Sequence, residues 1–255
     1  MLSVEEKKAW QEEGLLHLRG AFDGEALLRW TDELAEWPET AGKWMKYFEE
    51  VDGERKLCRV ENFLPYHEGW RGVVSDPFLA GVLADAFGEA GQLFKEKINF
   101  KLPGGSGFAA HQDAPAFASF GQSFHITAMV SIDPSTVANG CLEVACGQHA
   151  QGLMEMTSAQ VLSEGAIESL EWVPLETDPG DLVIFGSYLP HRSGPNTSEK
   201  PRRAAYLTYN ASSDGDFRDQ YYASKRAVFP PEIEREPGKD YSNTGLYNIG
   251  NPIQS

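Results

Sequence analysis

The stretch Phe94-Lys-Glu-Lys-Ile-Asn-Phe-Lys-Leu102 constrains this chain more than any other. Lys95, Lys97, Asn99 and Lys101 fall on one side, and Phe94, Ile98, Phe100 and Leu102 on the other. A period of two marks a β-strand, and its apolar side requires a core to lie on. The lysine side is either a solvated face or the lining of a polar cavity. Further short segments of strand character follow at 122–132, 141–145, 171–176, 181–186 and 202–210. The 25 Gly and 15 Pro supply the turns that such a succession needs.

Helical signals are concentrated in the first ninety residues. Ser3-Val-Glu-Glu6 forms a capping box ahead of one helix, which Gly14 ends, and Leu15 to Arg19 follows as a short strand. Asp23 to about Trp37 carries Ala26, Leu27, Trp30 and Leu34 as an apolar stripe, with Pro38 as its stop. Pro77 to Phe87 is a third helix, with Gly88 just past its end. Helices early and strands later give an α+β class with an antiparallel core. Periodicity alone is consistent with a closed barrel and with an open sandwich.

Charge then removes whole classes of function. With 38 acidic and 22 basic residues the net charge is −16, which argues against nucleic acid or an anionic membrane as a partner. The three cysteines are too few for a disulfide framework. No apolar run reaches membrane-spanning length, and MLSVEEKKAW lacks the apolar segment of a signal peptide. The expectation is a cytoplasmic protein acting on a small molecule; a homo-oligomer is compatible with the same facts.

One constellation carries chemistry. In Gly107-Phe-Ala-Ala-His111-Gln-Asp113, His111 and Asp113 stand two apart, so on an extended chain both face the same side. The best third partner is His191, which follows an apolar strand ending at Phe185. Two His and one carboxylate suit a non-haem Fe(II) centre, and they also suit zinc. Arg202 or Arg203 begins the strand that follows; one faces inward, where its planar fork matches a carboxylate. A hydrolase has no need of such an anchor.

These segments resemble the phytanoyl-CoA dioxygenase family of Fe(II)/2-oxoglutarate oxygenases. The likeness rests on His111-Gln-Asp113, Asn139-Gly-Cys-Leu-Glu-Val144, Pro179-Gly-Asp-Leu-Val-Ile-Phe185 and His191-Arg-Ser-Gly-Pro-Asn196 through Arg202, in that order. It implies a double-stranded β-helix, or jelly-roll, core over 91–212. Residues 1–90 become a helical N-terminal support with substrate-side loops, and 213–255 a C-terminal helix and wrapping tail. The resemblance further implies that His111, Asp113 and His191 ligate Fe(II). Arg202, assisted by Ser193, pairs with the distal carboxylate of 2-oxoglutarate, and Asn99 lies near that cosubstrate. With O2 the expected reaction is hydroxylation, giving succinate and CO2; halogenating relatives have a small residue where Asp113 stands.

Four other stretches are similar to a branch that hydroxylates 2-aminoethylphosphonate and its N-methylated forms. They are Lys43-Trp-Met-Lys-Tyr-Phe48, Arg59-Val-Glu-Asn-Phe63, Phe94 to Lys101 and Gly121-Gln-Ser-Phe-His125. A phosphonate dianion needs several donors, and Arg59, Asn62, Lys97 and His125 are the candidates. Trp44, Tyr47 and Tyr66 are candidate aromatic faces for a methylated ammonium, or plain packing. Acyl-CoA, amino acid and betaine-like substrates are the alternatives, as is an inert metal-binding scaffold.

Overall fold

The computed structural model describes residues 1–241 and Tyr247. In chain order the elements are α1 (Val4–Glu13), β1 (Leu15–Leu18), α2 (Gly24–Glu36), β2 (Met45–Val51), β3 (Glu54–Glu61), α3 (Glu68–Val74), α4 (Pro77–Phe87), β4 (Gly91–Lys101), β5 (Phe108–His111) and α5 (Ala114–Phe117). They continue as β6 (His125–Ser131), β7 (Leu142–Val144), α6 (Glu164–Glu168), β8 (Val173–Leu175), β9 (Leu182–Gly186), β10 (His191–Ser193), β11 (Arg202–Ala211) and α7 (Arg218–Val228). The tail expected to wrap the surface lies outside the described residues beyond Tyr241, apart from Tyr247.

Two antiparallel sheets face each other as a jelly roll. The larger runs β1-β9-β6-β11-β4-β3-β2 and the smaller β5-β10-β7-β8. The outer face of the larger sheet, with Val60, Ile98, Val130, Ile184 and Leu207, packs against Leu27 and Leu34 of α2, Trp70 of α3 and Leu83 of α4. Burial of each such side chain stabilises the fold by about 1.5–3 kcal/mol before entropy is counted. Between the sheets, Met129, Val183, Phe185 and Ala204 meet Leu142 and Val144.

The helix signals are realised at their caps. Ser3 Oγ accepts from the Glu6 amide at 3.1 Å while Glu6 Oε2 accepts from the Ser3 amide at 2.7 Å. Asp23 caps α2 through the amides of Glu25 and Ala26.

Two features depart from the sequence expectation, and a third decides between alternatives that the sequence left open. Residues 45–61, placed in the helical support, form the β2–β3 hairpin that extends the larger sheet. Its turn is Asp52-Gly53, with φ of 54° and 78°, the left-handed pair that a two-residue hairpin loop needs. Second, Phe94 does not share the face of Ile98. The β4–β11 register shifts between Thr208 and Tyr209, and this bulge turns Phe94 towards Phe117, Phe120 and Tyr221. Third, Lys95 and Lys101 are buried rather than solvated, because β4 is a central strand with the smaller sheet and α7 over its inner face.

The Pro179-Gly-Asp181 segment is a structural joint. Gly180 has φ of +88°, and a Cβ there would lie 2.2 Å from the Phe22 carbonyl oxygen. Buried Asp181 accepts from the amides of Gly20 at 2.8 Å and Asp178 at 3.0 Å, and pairs with His17 Nε2 at 2.7 Å. Burial alone would raise its carboxyl, but these donors outweigh burial and hold it below the usual range. Asp181→Ala strands three donors and is expected to cost on the order of 3 kcal/mol. That corresponds to a Tm drop of roughly 6–12 °C at pH 7 by calorimetry. A depressed carboxyl stabilises above its unfolded pKa of about 3.9 and ceases to as pH falls through its folded value. The difference between wild type and variant should therefore shrink below about pH 4.

Candidate active site

Pairing of β5 with β10 sets His111 directly opposite His191, with ring centroids 4.3 Å apart. Asp113 follows two residues along, and one donor atom from each of the three lies within 4.8 Å of the others. His111 Nδ1 is 2.7 Å from the Ala109 carbonyl, and His191 Nδ1 is 2.9 Å from that of Leu189. A carbonyl only accepts, so each Nδ1 carries the proton and each Nε2 keeps its lone pair for a metal. Burial, reinforced by His191, pushes His111 down to about 3, so it is neutral at physiological pH. Burial would raise Asp113, yet the two imidazoles, Lys95 and Lys97 hold it at about 2. Two imidazoles that turn Nε2 to the cluster and a carboxylate are a donor set that fits a ferrous ion.

The residue between the ligand candidates has its own work. Gln112 is fully buried; its amide donates to Gly152 O at 2.9 Å and Tyr188 O at 2.6 Å, and accepts from the Met154 amide at 2.9 Å. It fastens the other side of the segment that presents His111 and Asp113.

Two lobes of about 450 Å³ each open beside this cluster and share Lys95, Lys97, Phe108, His111 and Asp113. The first is lined further by Asn99, Thr127, Leu142, Ser193, Tyr206 and Thr208. Arg202 stands at its side: Nη2 donates to Gly140 O at 2.7 Å, Nη1 lies 3.4 Å from Tyr206 Oη, and Nε is buried with no partner. An orphaned guanidinium N–H beside a cavity fits an absent carboxylate. Arg203 faces the other way, where Asp133 and Asp32 hold it, so alternation resolves in favour of Arg202.

The second lobe is lined by Arg59, Glu61, Tyr221 and Lys225. Glu61 accepts from Lys225 through both oxygens at 2.6 Å and from Arg59 at 3.3 Å. Burial would raise Glu61, but Lys225 and Arg59 hold it at about 2. Arg59 Nε also donates to Asn99 Oδ1 at 3.2 Å. Lys95 and Lys97 make no hydrogen bond to the described residues; Lys95 lies 4.4 Å over Phe117 and Lys97 5.3 Å over Tyr206.

Of the ten candidates from sequence, His111, Asp113, His191, Asn99, Ser193, Arg59 and Lys97 line the cavity, and Arg202 adjoins it. Asn62 and His125 do not. Asn62 has a positive φ and its side chain turns to Lys43 and Arg218. His125 bonds Gln122 at 3.0 Å and packs on Phe94 and Phe117. Trp44 and Tyr66 pack on each other outside the cavity, and Tyr47 stacks on Phe229 at 5.1 Å. Lys95, Glu61, Tyr206, Tyr221 and Lys225 are new. Alternation points to Lys95 and Tyr206, which share faces with Lys97 and Arg202; α7 carries no comparable signal.

A family profile for phytanoyl-CoA dioxygenase (PhyH) matches residues 10–204. The chain is 52% identical over 257 aligned positions to a 2-aminoethylphosphonate dioxygenase from uncultured bacterium HF130_AEPn_1, covering 98% of both chains. It is 39% identical to a methylphosphonate hydroxylase from Gimesia maris, covering 86% of this chain and 85% of that one. Among solved structures, EctD from S. alaskensis with 2-oxoglutarate and 5-hydroxyectoine superimposes with a TM-score of 0.71 at 19% identity. That match covers 84% of this chain and 77% of EctD, and it supports the jelly-roll fold.

Asp113→Ala and His191→Ala are each expected to lose bound iron, measured by metal analysis after ferrous loading and desalting. Their thermal transitions should stay within a few degrees of the wild-type apoprotein. Stoichiometric iron in either variant would refute the ligand assignment.

Proposed function

The chain belongs to the phytanoyl-CoA dioxygenase family, and on that premise we propose that it hydroxylates a carbon of an aminoalkylphosphonate. The class is an Fe(II)/2-oxoglutarate-dependent dioxygenase. His111, Asp113 and His191 would hold the iron through the two Nε2 atoms and the carboxylate, a two-His, one-carboxylate donor set of the kind non-haem iron oxygenases use. Bound there, the iron with 2-oxoglutarate and O2 supplies the oxidising chemistry that hydroxylates a C–H bond, giving succinate and CO2. Arg202, Ser193 and Asn99 take the cosubstrate in the first lobe. The sheets and α7 would exclude water and orient the substrate beside the His111–Asp113–His191 cluster.

The observation that carries the substrate class is the pair Lys95 and Lys97. Two lysines side by side on the inner face of β4, without a hydrogen-bond partner among the described residues, are costly unless an anion meets them. Arg59 adds a guanidinium from β3, across from Asn99. A phosphonate dianion answers all three with charge-assisted hydrogen bonds. The name of the 52%-identical relative supports the same choice, 2-aminoethylphosphonate or an N-methylated form. An acyl-CoA would need cations on an open groove for its phosphates, whereas these are inside. A small, soluble substrate also agrees with a cytoplasmic enzyme.

Succinate formation across aminoalkylphosphonates, betaines, amino acids and acyl-CoAs tests the reading. Phosphonates should stimulate it, and Lys97→Met should lower kcat/KM for the phosphonate by about 10- to 100-fold, the range of a charged hydrogen bond. Stimulation by any other class, with none by a phosphonate, would overturn the assignment.

A further inference from the structure

The second lobe holds an ammonium group of its own. Among the described residues lining the two lobes, the carboxylates are Asp113, which belongs to the metal cluster, and Glu61. Glu61 is therefore the acid that a substrate amine would seek. Lys225 reaches it first. Its Nζ donates to both carboxylate oxygens at 2.6 Å, and Arg59 Nη1 adds a contact at 3.3 Å. The side chains of Glu61 and Lys225 are each only 2% exposed, so little of either is left for another partner.

Aromatic rings complete the arrangement. Lys225 Nζ stands 5.1 Å over Tyr47 and 6.0 Å over Phe229, and those two rings stack on each other at 5.1 Å. A carboxylate beside aromatic faces is the environment that recognises an ammonium. Here the chain fills it from α7 with its own side chain. Tyr221, which also lines the lobe, already has Lys95 5.5 Å over its ring. Apart from the metal-ligand candidates, the other charged side chains of the lobe are Arg59, Lys95 and Lys97, and an ammonium gains nothing from such neighbours.

We propose that Lys225 is a specificity-determining residue: by holding Glu61 it removes the amine from what the site reads. The lobe then selects for the phosphonate group and takes alkylphosphonates with or without an amino group. This rests on the reading of the substrate as a phosphonate met by Arg59, Lys95 and Lys97, and it says which end of that substrate carries recognition.

Succinate formation with 2-aminoethylphosphonate and with propylphosphonate, in which a methyl group replaces the ammonium, tests the idea. Both are assayed where the phosphonates are dianions and the amine is still charged. For the wild-type enzyme the two kcat/KM values should agree within about tenfold. Lys225→Met leaves Glu61 open to the substrate and should shift the ratio towards 2-aminoethylphosphonate by about 10- to 100-fold, the range of a charged hydrogen bond. That gain should vanish when Glu61→Gln is added to Lys225→Met. Glu61→Gln alone should change both substrates alike, and it carries the test if Lys225→Met does not fold. A wild-type preference for the amine beyond about tenfold, an unchanged ratio in Lys225→Met, or a selective loss of 2-aminoethylphosphonate in Glu61→Gln would overturn the role of Lys225. If neither phosphonate drives succinate formation while another substrate class does, the phosphonate reading itself has failed, and the role of Lys225 falls with it.

Discussion

Antiparallel pairing of β5 with β10 puts His111 opposite His191, and the chemistry of the molecule is arranged about that one register. A slip of a single residue would turn one imidazole to the other side of the sheet. Three-residue and four-residue strands have little hydrogen bonding of their own to prevent it. The register is held instead by side chains. Gln112 ties the segment after β5 to Gly152, Met154 and Tyr188, and Asn196 ties the turn after β10 to the carbonyls of Lys101 and Lys200. The short strands carrying the cluster are thus bound to longer elements, and each ring is turned by a carbonyl two residues before it.

Positive charge is the second organising quantity. Arg59, Lys95, Lys97, Lys101 and Arg202 all stand on the inner face of the larger sheet, in a protein whose net charge is −16. Among the described residues only Arg59 has a carboxylate ion-pair partner, Glu61, and that acid is held mainly by Lys225. Such an interior is suboptimal for stability in the empty state and suited to anions, the usual trade at a functional site. The division of labour follows from position. Lys101 and Arg202 lie at the end of β4 and β11 beside Ser193, while Arg59, Lys95 and Lys97 lie beside Glu61 and α7. The cations thus fall into two groups on one face of the sheet, and His111 and Asp113 line both lobes.

The α+β class and the His111–Asp113 pair were legible from local pattern, whereas the jelly roll and the assignment of His191 as the third ligand followed from the family resemblance, because periodicity alone is consistent with both barrel and sandwich. Alternation over residues 94–102 identifies β4 even though a bulge turns Phe94 to the other face. His-x-Asp works for the same reason: two residues apart is one face. The hairpin at 45–61 was also within reach, since Asp52-Gly53 is a strong turn signal, but its charged residues mask the alternation. Asn62 and His125 were misjudged on facing. A positive φ at Asn62 breaks the period that would have pointed it inward, and His125 sits at the very start of β6, where Gln122 takes its ring. Lys225 and Tyr221 reach the cavity from a helix more than a hundred residues away from β3, and no local period reports a contact of that kind.

The acidic exterior and the cationic cavity are compatible because they act over different distances. Repulsion of a dianion by the surface is screened beyond about 8–10 Å at physiological salt, so the pocket decides the final approach. Inside, burial lowers the proton affinity of Lys95 and Lys97, most strongly at Lys97, and Arg59 and the lysines themselves lower it further at Lys97. The same shift limits what the empty cavity suffers, because a buried ammonium that finds no anion gives up its proton more readily. An anion at hydrogen-bond distance would reverse the balance, since it favours the charged lysine again. The cavity therefore becomes most cationic when its anion is present, which lets one strand carry three lysines through the interior of a folded protein.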